Sequence, residues 1–388
     1  MLFRPEIKES LTLKFAESAA ERSKRGLPII SLGLGEPEFK TPREIIDATI
    51  AVLNEKNSGY SSPMGLLSLR KKLAQKLRDE NGIPADADNI IVTSGAKQAF
   101  QLMMMTLLQP GDEVIVLNPS FVSFIPQILI AEPSCKIIKI DVSKTDFSLP
   151  IEEIKNAVTE KTKLLVLNTP NNPAGYMLKE KELRELFELA KEKDFFVLSD
   201  EIYEKLVFDN STHFSIGSLE DQVSKVITIN GFSKSHAMTG WRLGYACFPA
   251  SMKSNLLKIQ QHTNTNTTTF IQEAVDRAFD LDVKYLDDYN LLLKNRIGRY
   301  MEMVDRLEGV TAIAPTGGFF AFMNIANLGM DSNTFCSRLI EETGVATTPG
   351  IAFGDNWDDH VRISFAIEDE KVNLGLELME NFIKSLNS

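Results

Sequence analysis

The chain has 388 residues, 43% hydrophobic and 24% charged, a composition that fits a soluble globular protein too long for a single small core. Its 42 basic and 53 acidic side chains leave a net charge of −11, which argues against general nucleic-acid binding but leaves room for a local basic pocket. No apolar run reaches the ~18 residues of a membrane span, Met1–Ser10 lacks the apolar core of a secretory signal, and Cys135, Cys247 and Cys336 are too scattered for a disulfide framework or a metal site. The expectation is therefore a cytoplasmic protein with buried reduced thiols, no metal and no membrane partner.

In chain order, residues 1–40 hold no strand–helix unit of their own and are expected to pack with the C-terminal part. Short apolar runs then alternate with amphipathic stretches. Strands are predicted at 89–93, 113–117, 136–140, 163–167, 195–198, 225–229 and 244–248. Helices are predicted at 96–108, stopped by Pro110-Gly111, at 151–158 and at 179–193, where Leu183, Leu186, Leu189 and Ala190 share a face. Such alternation predicts an α/β fold with a mostly parallel central sheet flanked by helices. The pattern changes near Asp280. A long amphipathic stretch at 281–307 precedes scattered strands at 319–323 and 361–365, which predicts a smaller α+β domain. The division is expected at 41–285 for the large domain, with 1–40 and 286–388 forming the small one.

Ligands of open α/β sheets bind outside the carboxyl ends of the strands. Those ends carry Ser94-Gly95-Ala96-Lys97, Asn118-Pro119-Ser120-Phe121, Asn168 to Pro173, Asp200-Glu201-Ile202-Tyr203 and Gly231-Phe232-Ser233-Lys234. The first opens a helix and suits a phosphate, although a plain strand-to-helix turn would look the same. Asp200 at a rim is either an idle solvated carboxylate or the partner of a cation. Asn172, in a turn set by Pro173 and Gly175, is by itself an ordinary turn residue. Lys234 followed eight residues later by Arg242, with Ser233 and Ser235 beside it, is less ordinary. A permanent cation near a lysine keeps that amine neutral enough to attack an aldehyde.

With these residues in view, the chain resembles the fold-type I pyridoxal-5'-phosphate (PLP) enzymes, in particular the class I/II aminotransferases of the aspartate aminotransferase superfamily. The resemblance rests on Leu32–Phe39 (LGLGEPEF), Gly59–Gly65, Thr93–Ala99, Asn168–Gly175 (NTPNNPAG), Ser199–Tyr203, Phe232–Gly244 (FSKSHAMTGWRLG) and Val361–Phe365. It implies a transfer of the amino group of an L-amino acid to a 2-oxo acid, 2-oxoglutarate being the family's guess, by a ping-pong mechanism. Lys234 is expected to carry the cofactor as an internal aldimine and to shuttle the substrate's α-proton. Asp200 is expected to keep the pyridine nitrogen protonated, Asn172 and Tyr203 to bind the phenolic oxygen, and Phe121 to stack on the ring. Gly95, Ala96, Lys97, Ser233 and Arg242 are expected at the phosphate, Ala96 and Lys97 through their backbone amides. Arg362, with Gly35 and Asn172, is expected to hold the substrate α-carboxylate. Tyr60 resembles a tyrosine that reaches the neighbouring subunit's phosphate, which implies a homodimer with shared active sites.

Departures from the family pattern bear on substrate. The segment His262–Phe270 has no arginine where dicarboxylate-specific members often present one, Phe121 stands where the aspartate enzymes usually carry tryptophan, and Gly231 replaces a residue with a hydroxyl. Phe319 and Phe320 are expected to border the side-chain pocket, and His236 to be packing. A PLP-dependent β-eliminating lyase would use the same lysine, aspartate and arginine. A non-catalytic PLP-binding regulator would need a DNA-binding domain, for which the matching pattern, starting near residue 30, leaves no room.

Overall fold

Alternate residues of the central strands of the sheet point into two different cores, and that division organises the larger part of the molecule. The computed structural model describes residues 7, 9–55, 58–208 and 211–386. Its strands are β1 (Ile30–Ser31), β2 (Ile90–Thr93), β3 (Glu113–Asn118), β4 (Lys136–Asp141), β5 (Thr162–Asn168), β6 (Phe196–Asp200), β7 (Val226–Gly231), β8 (Gly244–Cys247), β9 (Thr311–Ala312), β10 (Phe320–Asn324), β11 (Val345–Ala346), β12 (Thr348–Pro349) and β13 (His360–Ser364). Seven of them form one sheet in the order β2-β8-β7-β6-β5-β3-β4. All pairings in it are parallel except the two made by β8, which runs antiparallel to β2 and β7.

In β3 and β5, Ile115, Leu117, Leu165 and Leu167 pack with the helices Ile151–Ala157 and Glu180–Lys193. Val114, Val116, Leu164 and Val166 point the other way, against Ala96–Leu107, Phe124–Ala131 and Lys253–Thr263. Side chains alternate across a strand, so a sheet covered on both faces needs apolar residues at every position, as these runs have. Helix Glu180–Lys193 buries Leu183, Leu186, Phe187, Leu189 and Ala190, and has acidic residues in its first turn and lysines in its last, complementing the helix dipole.

The four-stranded sheet β12-β13-β10-β9 is antiparallel throughout. Helices Tyr285–Asp305, Ser332–Thr343 and Asp369–Leu386 pack with it around a third core. Asp331 caps the second of these by accepting from the Thr334 amide, and Gly344, in the left-handed region, ends it. The segment before the large sheet meets this part: β1 pairs with β11, and Ile30 and Leu32 lie in the same core. The long amphipathic stretch begins its helix at Tyr285 rather than 281. The large sheet is mostly parallel, as expected, and its antiparallel strand is β8, which no strand propensity distinguishes from its neighbours.

One buried cation ties these parts together. Arg296 is 1% exposed and donates to Glu38, to Asp369 and to the Phe365 carbonyl. It thus links the segment after β1, the helix Tyr285–Asp305 and the end of β13. Removing one member of a buried ion pair strands the other. Arg296→Ala is expected to lower unfolding stability in a urea titration by about 3 kcal/mol. Arg338→Ala, which breaks an exposed pair with Glu342, is expected to change it by less than about 0.5 kcal/mol.

Candidate active site

Because β2, β3, β5, β6 and β7 run in one direction, their carboxyl ends share a rim, and the antiparallel β8 starts from that same rim at Gly244, paired with Thr93 and Gly231. All five polar clusters singled out in the sequence therefore lie at one edge. A cavity of about 420 Å³ opens there, closed on the other side by Gly33–Glu36, Phe320 and Arg362.

Lys234 lies in the cavity wall, its Nζ donating to the Gly35 carbonyl at 2.6 Å. Burial lowers its pKa to about 8. Arg362 and Arg242 push in the same direction, while Glu36 and Asp200 oppose them. The amine lies 5.9 Å from the centre of the Tyr203 ring and 5.7 Å from that of Phe319. Asp200 ends β6, and burial raises its carboxyl to about 7, against the pull of the Ile202 amide, which donates to it. Near neutral pH it is a carboxyl only partly ionised until a cation is brought beside it.

Arg362 lies mid-strand in β13, on the opposite side from the core residues Val361 and Ile363. The bland expectation for a strand arginine, exposure, does not hold, since it is 5% exposed. Its guanidinium donates to Asn172 Oδ1 at 3.0 Å, to the Gly33 carbonyl at 2.7 Å and to Thr348 Oγ1 at 3.2 Å, and it stacks 4.4 Å from the centre of the Phe320 ring. Its Nε is buried without a partner, so one donor of a rigid fork awaits an acceptor. Asn172 is aimed in turn by Asn168, whose Oδ1 accepts its amide at 2.8 Å, and reaches the Tyr203 hydroxyl at 3.5 Å, the limit of a hydrogen bond.

At the other end of the cavity, helix Ala96–Leu107 begins, and the amides of Ala96 and Lys97 fall in its first turn, where N–H groups have no intrahelical acceptor. Arg242 adopts φ +58° and donates to the Thr239 and Ser94 carbonyls, holding its guanidinium over Gly95. A Cβ at Gly95, itself at φ +81°, would lie 2.5 Å from that guanidinium, and one at Gly244 would lie 2.5 Å from the Ala96 amide. The two glycines let cation, strand and helix terminus converge, a form suited to a phosphate. Ser233 lines the same cavity, as does Phe121, whose ring the Lys97 amine covers at 5.6 Å.

The structure thus brings together Gly35, Ala96, Lys97, Phe121, Asn172, Asp200, Tyr203, Ser233, Lys234, Arg242 and Arg362 around one space, with Gly95 beneath it. Tyr60 stands apart, 91% exposed and outside this cavity. Gly35 lines the cavity together with Arg362, its carbonyl accepting from Lys234, while the Gly33 carbonyl accepts from the arginine. Sequence reasoning missed Gly33, Thr348 and the helix residues Thr12, Leu13 and Ala16, which line the cavity from helix Leu11–Lys24. The run LGLGEP marked the first of these as a loop, but carbonyl directions are invisible in a sequence. Phe320 lines the cavity and supports Arg362 face-on.

The lowered pKa of Lys234 can be read directly. The neutral amine reacts with aldehydes, and its fraction rises with pH through the folded pKa. With a small aldehyde and cyanoborohydride, peptide mapping is expected to show Lys234 labelling with a midpoint near pH 8, as against 10.5 for an ordinary lysine. A midpoint shared with the exposed lysines would mean that the amine is solvated.

Residues 28–377 match the family model for aminotransferase class I and II. Among curated proteins, the chain is 36% identical to an aspartate aminotransferase of Pyrococcus abyssi, over 92% of both chains. It is 35% identical to an aromatic-amino-acid aminotransferase of Thermococcus litoralis, again over 92% of both. Among solved structures, the aspartate aminotransferase of Thermus thermophilus with maleate superposes with a TM-score of 0.91 at 33% identity, covering 97% of each chain. With a match over nearly its whole length and relatives above one-third identity, the chain belongs to the class I and II aminotransferases, enzymes dependent on pyridoxal 5'-phosphate.

Proposed function

We propose that this PLP-dependent aminotransferase takes a dicarboxylic L-amino acid, aspartate or glutamate, as donor and 2-oxoglutarate as acceptor, and works as a cytoplasmic homodimer. The observation that carries the substrate reading is Lys97. Its side chain lines the cavity and lies over Phe121, and burial together with Arg242 lowers its pKa. The cavity therefore holds a further cation, besides Arg362 and Arg242, for a second carboxylate, although the segment His262–Phe270 has no arginine. The maleate bound by the Thermus relative, a dicarboxylate, supports the same reading.

The residues fit the cofactor. A buried carboxyl, a buried amine and a glycine-lined cradle under a guanidinium occur together, and the orphaned Arg362 Nε awaits an acceptor. When bound, the cofactor supplies an aldehyde that condenses with amines and a pyridinium ring that draws electrons from the neighbouring carbon. Asp200 would face the ring nitrogen, whose positive charge lowers the carboxyl's pKa again and keeps the proton on the nitrogen. Asn172 and Tyr203 would donate to the phenolic oxygen, and Phe121 would cover a ring face. Arg242, Ser233 and the Ala96 and Lys97 amides, with Gly95 allowing the close approach, would hold the phosphate. Arg362 and Asn172 would fix the substrate α-carboxylate. Lys234, once displaced by the substrate amine, would carry the proton between the substrate α-carbon and the cofactor's C4' carbon. The same site then serves the oxo acid in the second half of a ping-pong cycle. Tyr60, too exposed to serve its own cavity, would reach that of a partner subunit. The division into a large domain at 41–285 and a small one at 1–40 and 286–388 is supported by the core of the four-stranded sheet, drawn mainly from 286–388, with Ile202, Tyr203, Leu206 and Phe208 of the larger part joining it. Its second boundary falls at the start of helix Tyr285–Asp305.

The test is a visible spectrum of the holoenzyme with single L-amino acids and no oxo acid. Conversion of the cofactor band to that of the amine form by aspartate or glutamate is the expected result. An unchanged band with every amino acid would break the transaminase reading, and release of pyruvate and ammonia from a cysteine-type substrate would favour the lyase. Lys234→Ala is expected to hold the cofactor only noncovalently and to lose turnover. Arg362→Ala should lower kcat/KM about 100-fold for all amino acids, mainly through KM. Lys97→Met should raise KM about tenfold for aspartate and glutamate alone, leaving phenylalanine unaffected.

A further inference from the structure

The segment carrying Lys234 has two sides. Ser233 and Lys234 face the cavity described above, whereas Phe232, Ser235 and His236 face a second one of about 330 Å³, with which the first has no lining residue in common. Its floor is built from the sheet. Asn230 of β7 and Tyr245 of β8 are direct cross-strand partners, so their side chains leave the sheet on the same face. Asn230 is 3% exposed. Its Oδ1 accepts from the Gly231 amide, and its Nδ2 has no hydrogen-bond partner among the described residues. A buried donor of this kind costs stability unless something in the cavity accepts from it. Tyr245 adds a phenol that burial, with Glu204 and Glu80 nearby, keeps protonated. His236 engages Ser235 through Nδ1, which leaves Nε2 to the cavity, and burial lowers its pKa to about 4, so the ring is neutral.

The walls are mixed. Leu73 and Phe279 give apolar surface. Lys76 pairs with Glu204 and Lys205 with Glu80, while Lys72 pairs with Asp280 at the mouth. The lining holds four carboxylates, Asp79, Glu80, Glu204 and Asp280, against the three amines of Lys72, Lys76 and Lys205. A simple anion meets a surplus of negative charge here, and a simple cation leaves the Asn230 donor unmatched.

We propose that this cavity is a second ligand site that binds a free amino acid as its zwitterion. The carboxylate takes the Asn230 and Tyr245 donors at the floor, the ammonium turns to Glu80, Asp79 and Asp280, and the side chain lies against Phe279 and Leu73. An occupant touches the reverse face of the loop that holds Lys234, one and two residues along the chain from the amine. The site does not depend on the substrate reading given above.

The experiment is calorimetric titration of the Arg362→Ala holoenzyme with 2-aminoisobutyric acid. The probe has no α-hydrogen, so it is not turned over, and the background weakens its binding at the first cavity. Saturable binding of one molecule per subunit is expected, with the visible cofactor band unmoved. Asn230→Leu, placed in that background, should weaken it at least about tenfold. So should Val283→Trp, which fills the mouth at a residue 37% exposed and leaves the core alone. Isobutyrate, the same skeleton without the ammonium, should bind about tenfold more weakly. Absence of saturable binding, binding indifferent to both substitutions, or equal affinity for isobutyrate would overturn the proposal. A band that moves with the probe would assign the event to the first cavity.

Discussion

Everything at the site follows from keeping the amine of Lys234 out of water in the company of two arginines. Its charged form loses solvation there, and Arg362 and Arg242 make a further positive charge unwelcome, so the amine can serve as nucleophile and base near neutral pH. That burial requires a lid of polypeptide that can accept the amine's hydrogen bond without supplying a charge. The Gly35 carbonyl does this, and the loop that carries it crosses over from the other sheet's side of the molecule.

The same loop performs three tasks within six residues. Gly33 steadies Arg362, Gly35 steadies Lys234 and Glu38 takes the buried Arg296. Lys234 and Arg362 are therefore referenced to one short piece of backbone, and that piece is anchored to the helices of the smaller sheet. In the function proposed above, an amino acid held by its carboxylate at Arg362 would present its α-carbon to Lys234.

Much of this was legible in the sequence because the chemistry sits at strand ends. Period-two and run-length patterns found the strands of the large sheet to within one or two residues, and the turns after them supplied Lys97, Asn172, Asp200, Tyr203, Lys234 and Arg242. Arg362 was marked by the family resemblance, since its alternation with apolar neighbours alone reads as an exposed strand arginine. What stayed hidden was direction. The reversal of β8 depends on which neighbours a strand finds. Gly33 and Thr348 act through a carbonyl and a hydroxyl whose aim is set by the tertiary fold, and helix Leu11–Lys24, with only Ala19 buried, shows little apolar pattern to reveal that it borders the cavity. Tyr60, prominent in the motif, stands exposed outside the cavity of the chain.

Arg242 poses one further consequence. Its backbone lies at φ +58°, a conformation that favours glycine and asparagine, while its side chain must be a long planar cation held over Gly95. No residue satisfies both demands. A glycine would relax the chain and remove the charge, and a lysine would keep a charge and the strain while losing the fork. Selection for thermal robustness alone would thus push this position away from arginine, and selection for turnover pushes it back, so residue 242 marks a place where improving the scaffold and improving the catalyst pull in opposite directions.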